Sequence, residues 1–187
     1  MSIMKKKLQN HLRNFARDAR GSVAIETAII VPVLLWAMIA MWIFFDAYKT
    51  RSEVEKAAWV IGDMISRETN AIDDDYLDGA KSLFDLLSDS DSPAGLRVSV
   101  IMYSGAYDEY QLEWSKVRGD IGALEGASMT DLADDLPGMA DGERLILIQT
   151  ISTYEPELNV GIGDQTMETF IFTRPRFAPQ VVWEDAA

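Results

Sequence analysis

The sequence predicts an α+β protein: a long N-terminal helix, its first half transmembrane, packed on a small antiparallel sheet of about four strands. Three observations predict it. Residues Ala28–Phe45 (AIIVPVLLWAMIAMWIFF) form an uncharged apolar run. An amphipathic stretch follows, and no proline or glycine interrupts the chain between the two before Gly62. From residue 96 onward, apolar and polar residues alternate with period two, as in strands that bury one face.

The apolar run has eighteen residues. At a rise of ~1.5 Å per residue it spans roughly 27 Å, close to the hydrocarbon thickness of a bilayer. Soluble helices are rarely apolar on every face over such a length. A cleaved secretory signal would be shorter and would end in small residues, whereas Asp46-Ala47-Tyr48-Lys49 stands here. Lys5, Lys6, Lys7, Arg13, Arg17 and Arg20 precede the run against Asp18 alone, so residues 1–21 carry +5 and the remainder −18. Lys49, Arg51 and Lys56 follow it, fewer in number and interspersed with Glu53 and Glu55. The positive-inside bias therefore predicts a basic cytoplasmic leader over 1–21, a transmembrane helix over 22–45 and an extracytoplasmic domain over 46–187.

Within that domain, Val54, Ala57, Ala58, Ile61 and Met64/Ile65 fall on one stripe, so the apolar run and this stretch read as one long helix. A second helix is predicted over Asp74–Leu87, with Tyr76, Leu77, Ala80, Phe84 and Leu87 on one face. Asp73, Asp74 and Asp75 suit its positive N-terminal end. The Ser88–Gly95 loop ends it. Leu96, Val98, Val100 and Met102 alternate along one strand; Tyr110, Leu112 and Trp114 alternate along the next, across a turn with Gly105 and Asp108. The pair reads as a hairpin. Gly119–Gly142 holds five of the twelve glycines and reads as a variable region with a short helix near Thr130–Leu136. Arg144–Tyr154 and Glu168–Thr173 read as further strands, and Phe177–Trp183 as a short terminal strand completing the sheet. Trp59, Trp114 and Trp183 are expected to anchor the core, and Trp36 and Trp42 to pack the membrane helix.

Composition excludes several chemistries. Cysteine is absent, so there is no disulfide framework, thiolate metal site or cysteine nucleophile. The single histidine, His11, lies in the leader, which leaves the domain without a histidine dyad or triad. The glycines form neither a dinucleotide fingerprint nor a P-loop, and no stretch has calcium-loop spacing. Asp89-Ser90-Asp91 reads as a solvated acidic loop in preference to a weak calcium site. An acidic domain repels phosphates, which argues against nucleic acid. The expectation is a protein that is not an enzyme, with no catalytic residue, cofactor or metal.

The candidate site is Arg20-Gly21-Ser22-Val23-Ala24-Ile25-Glu26, running into the apolar segment. Gly21 ends the basic leader with an unhindered peptide bond at the membrane face, suited to a membrane peptidase. Glu26 is the anomaly: an acid at bilayer depth costs about 2.5–3.5 kcal/mol on insertion scales. Cleavage between Gly21 and Ser22 would create an amine at a height where it can pair with Glu26 of a neighbouring subunit, offsetting that cost. A Glu26 lying shallow among the headgroups, merely beginning the helix, is the plainer alternative.

RGSVAIETAIIVPVLL resembles the start of the TadE-like proteins, minor pilins or pseudopilins of the tight-adherence (Tad, Flp) pilus, and Pro32 within the apolar helix is part of that resemblance. It continues through YKTRSEVEKAAWVIGDMIS and more loosely through GERLILIQTISTYEPEL and TRPRFAP. The resemblance implies a structural subunit that takes part in assembling or priming a pilus. It implies other pilin or pseudopilin subunits, a prepilin peptidase, an inner-membrane assembly platform and the lipid bilayer as partners. Processed members often carry Tyr or Phe after the Glu, whereas Thr27 stands here. The alternatives are an uncleaved, single-pass periplasmic scaffold protein of the same apparatus and, from another class, a tethered enzyme or ligand-binding domain.

Overall fold

The structure is a computed structural model that describes residues 20–88, 94–126 and 129–184; of residues 20 and 22 it describes the backbone alone. Residues 1–19, most of the expected leader and with it His11, and the Asp89-Ser90-Asp91 stretch lie outside the described residues. The chain forms two compact units, Met1–Phe44 and Phe45–Ala187. Helix α1, Arg20–Ser66, contributes to both.

In the first unit α1 carries the apolar run, and apart from Ile43 none of its described side chains is buried. The helix is long and apolar enough to cross a membrane. Pro32 lies inside it and leaves the Ala28 carbonyl without its usual i+4 donor.

The second unit packs the rest of α1 and helix α2, Asp74–Ser88, on a four-stranded antiparallel sheet of order β2-β1-β3-β4. The strands are β1 Gly95–Ser104, β2 Glu109–Arg118, β3 Arg144–Tyr154 and β4 Gln165–Thr173. The expected α+β class, long helix and four-stranded sheet are present. Val54, Ala57, Ala58, Ile61 and Ile65 are buried along one stripe of α1, and Met64 is half-buried beside them. Leu77, Ala80 and Phe84 of α2 join that cluster, whereas Leu87, placed by periodicity on the same face, is 39% exposed and Ser88 beside it is buried. Asp73 caps α2: its Oδ1 accepts the Tyr76 N–H at 2.8 Å.

The sheet is buried on both faces. Leu96, Val98, Val100, Ile146, Ile148 and Ile171 face the helices. Ile101, Leu145 and Leu147 face the other way, where the connection between β2 and β3 covers them with Leu124, Met129 and Leu136. The segment read as variable is thus the lid of a second core. Its short helix stands where expected, as one turn of α-helix (α3, Met129–Leu132) continued by a 3-10 turn over Ala133–Asp135.

Three expectations are corrected. A bulge in β2 pairs Val100 with Trp114 but Ile101 with Leu112, leaving Glu113 as the extra residue. Trp114 therefore packs with the helix-facing cluster, while Tyr110 and Leu112, expected beside it, pack with the other. Phe177–Trp183 adds no strand to the sheet. Pro175 and Pro179 supply no N–H to a ladder, and the segment makes a single parallel bridge, Ile72 to Trp183. Its Val181 carbonyl instead accepts the Trp114 indole N–H at 3.0 Å, and the Trp114 and Trp183 rings lie 5.7 Å apart. Trp59 is no core anchor. It is 52% exposed, one residue beyond Ala58 and so about 100° around the helix from the buried stripe.

Candidate functional site

The candidate site is the start of α1. Gly21 and Ser22 lie in its first described turn, Glu26 follows one turn later, and Pro32 lies deeper in the apolar run. Positions four apart on a helix differ by about 40° in azimuth, which sets Ser22 and Glu26 on one face. The residues above Glu26 on that face, Ile29, Ile30 and Val33, are all apolar. Pro32, six positions on, falls about 120° away on another face. The structure thus groups Ser22 with Glu26 and leaves Pro32 apart.

A Cβ built at Gly21 meets nothing within 4 Å, so the Gly21–Ser22 bond is unobstructed by the rest of the described chain. That bond is nonetheless helical rather than extended. Glu26 is exposed and makes no ion pair among the described residues. The same i, i+4 spacing brings it within reach of an amine at Ser22 of its own chain.

Two further contacts hold α1 within the second unit, and neither was foreseen. Asp46, the residue that ends the apolar run, accepts a hydrogen bond on Oδ2 from the Tyr154 hydroxyl at 2.9 Å. Tyr154 closes β3 and is buried; burial first, then that hydrogen bond, pushes its hydroxyl up to about 12. At the other end of α1, Asp63 is shared by Arg67 Nη2 at 2.8 Å and Arg176 Nη1 at 3.0 Å. The Arg176 N–H also donates to the Ser66 carbonyl at 2.7 Å, satisfying a terminal group of the helix. Arg174 pairs with Glu143. The Arg174-Pro175-Arg176 segment, part of the looser resemblance, therefore lies against the helix that carries the closer one. An acid ending an apolar run was the visible signal for Asp46; its partner lies 108 residues away.

Among the described residues, no group of three or more His, Asp or Glu side chains is placed to hold a metal ion. The fold and the site define a class: a helix able to cross a membrane, bearing one acid near its start, continued by an α+β unit. Comparison of the chain with protein-family models, with curated proteins and with solved structures found no match.

Proposed function

We propose that this chain is a membrane-anchored, pilin-like subunit, of the TadE-like kind, that takes part in assembling or priming a Tad-type pilus. The observation that carries the reading is the lone acid Glu26 on an otherwise apolar helix face, one turn above Ser22 and five residues after the Gly that ends a basic leader. A carboxylate at bilayer depth is costly, and a cation that meets it offsets the cost. A neighbouring subunit's Ser22 amine, created by a prepilin peptidase, is that cation.

On this reading the chain is a single-pass protein of the bacterial inner membrane, N-terminus cytoplasmic and domain periplasmic, entering the pilus on assembly. Its partners are other pilin or pseudopilin subunits, the peptidase, the assembly platform and the bilayer. Its role is structural rather than enzymatic. Trp42 and Tyr48, both exposed near the end of the apolar run, suit the headgroup layer on the far side.

Gly21 lies inside α1 rather than ahead of it, and this favours a second reading, an uncleaved periplasmic scaffold protein of the same apparatus. Terminal-peptide mass spectrometry on protein from piliated cells separates the two. A mature chain beginning at Ser22 supports the pilin; one beginning at Met1 or Ser2 removes cleavage and leaves the scaffold.

A further inference from the structure

The two edges of the sheet are treated differently. The β2 edge has its bulge at Glu113 and bears Lys116 and Arg118, and the Trp114 indole at the bulge holds the C-terminal segment through the Val181 carbonyl. These are the devices by which sheets avoid accepting another strand. The β4 edge has none. Its register with β3 runs unbroken from Gln165 to Thr173, and its sequence, QTMETFIFT, contains no Pro, Gly, Lys or Arg. Among the described residues, only β3 hydrogen-bonds to its backbone.

The side chains along this edge add recognition. Glu168, Phe170 and Phe172 alternate onto one face; Phe170 packs with the second core, and Phe172 is 38% exposed with its ring 6.3 Å from that of Phe170. Beside Phe172 opens a cavity of about 300 Å³ lined by Pro137, Leu145, Phe172, Thr173, Arg174 and Arg176. Glu168 is exposed and makes no ion pair within 4.0 Å among the described residues, although Arg97 lies near enough to feel its charge. Glu155, Glu157 and Asp164 precede the strand, and the neighbouring Arg174 and Arg176 are engaged by Glu143 and Asp63.

We infer that β4 is a docking edge for an extended segment of a basic partner protein. The segment pairs with the β4 backbone, sets a Lys or Arg opposite Glu168, and sets an apolar side chain opposite Phe172, over the cavity. Backbone hydrogen bonds supply affinity, and the alternating side chains supply selectivity. The four-residue spacing of Glu168 and Phe172 requires the basic and apolar residues to stand four apart in the partner. A second copy of this chain is disfavoured as occupant, because residues 46–187 carry 28 Asp and Glu against 11 Lys and Arg and repel their like. The inference does not depend on the pilin reading.

The test uses the full chain in detergent micelles at low salt, with the fluorescent peptide Cys-Thr-Lys-Thr-Val-Thr-Leu, its reversed sequence for the opposite strand direction, and the Lys→Glu analogue of each. Because the chain has no cysteine, Thr166→Cys on the β4 edge and Glu109→Cys on the β2 edge each offer one crosslinking site. A Lys peptide in one direction should bind about fivefold to tenfold more tightly than its Glu analogue, by anisotropy. With copper–phenanthroline added as oxidant, it should form a disulfide with the Thr166→Cys chain and not with the Glu109→Cys chain, and Glu168→Lys should reverse the preference with the melting curve unchanged. Absence of binding, equal binding of Lys and Glu peptides, or equal crosslinking at both edges overturns the proposal. Disulfide-linked dimers of the Thr166→Cys chain formed in preference to peptide adducts overturn its choice of occupant.

Discussion

Replacing Tyr154 with Phe removes one oxygen and keeps the ring that closes β3. The hydroxyl donates to the Asp46 carboxylate at 2.9 Å, and a hydrogen bond to a charged group contributes about 1.5–3 kcal/mol. Asp46 is only half-buried, so water recovers part of its solvation and the expected loss is about 1–2 kcal/mol. For a domain of this size that lowers Tm by roughly 3–6 °C, measurable by near-UV circular dichroism on the full chain in micelles. The pH dependence provides a separate test. The folded state holds the Tyr154 proton more tightly than the ordinary 10.0 of an unfolded tyrosine, up to about 12. Its contribution is therefore complete below pH 10 and is lost as pH rises from about 10 to about 12. Tyr154→Phe should flatten the fall in stability over that interval. Asp46→Asn, which retains an acceptor but no charge, should leave the onset near pH 10 and make the fall smaller and end at a lower pH. A Tm and an alkaline slope identical to those of the parent would refute the view that this contact holds α1 to the sheet.

Gly119 has φ +78°, and a Cβ there would lie 2.4 Å from the Ala94 carbonyl oxygen; Gly119→Ala should cost about 2–4 kcal/mol in denaturant unfolding, from left-handed strain and overpacking together. Gly62→Ala is its counterpart, since its Cβ would meet Ile148 and Thr173 at 3.6 and 3.8 Å; it should stabilise α1 by about 0.5–1 kcal/mol. A reporter active only in the periplasm, fused after Ala187, should be active, and a cytoplasm-only reporter at the same point should be silent; the reverse would refute the orientation. Gly21→Val should leave a precursor that retains its leader. Glu26→Ala should insert more favourably by about 2–3 kcal/mol yet fail to assemble, and normal piliation would remove the pairing role of Glu26.

What the sequence determined by itself is what depends on neighbours in the chain. The uncharged run, the stripe from Val54 to Ile65, the Asp73 cap and the shared face of Ser22 and Glu26 all follow from helical periodicity over a few turns. The sequence marked Arg144–Tyr154 as a strand, expected like the others to bury one face. It did not say which segment covers the second face, because Leu124, Met129 and Leu136 sit in a stretch with no regular period. Only the tertiary structure decided that, together with the bulge that turns Trp114 toward the helices, since a one-residue slip moves a side chain across the sheet. It alone paired Asp46 with Tyr154 and Asp63 with Arg176, and left β4 without a strand on its outer side. Each of these depends on segments remote in the chain being brought together by burial of the common core, and no local pattern encodes the partner of a residue a hundred positions away.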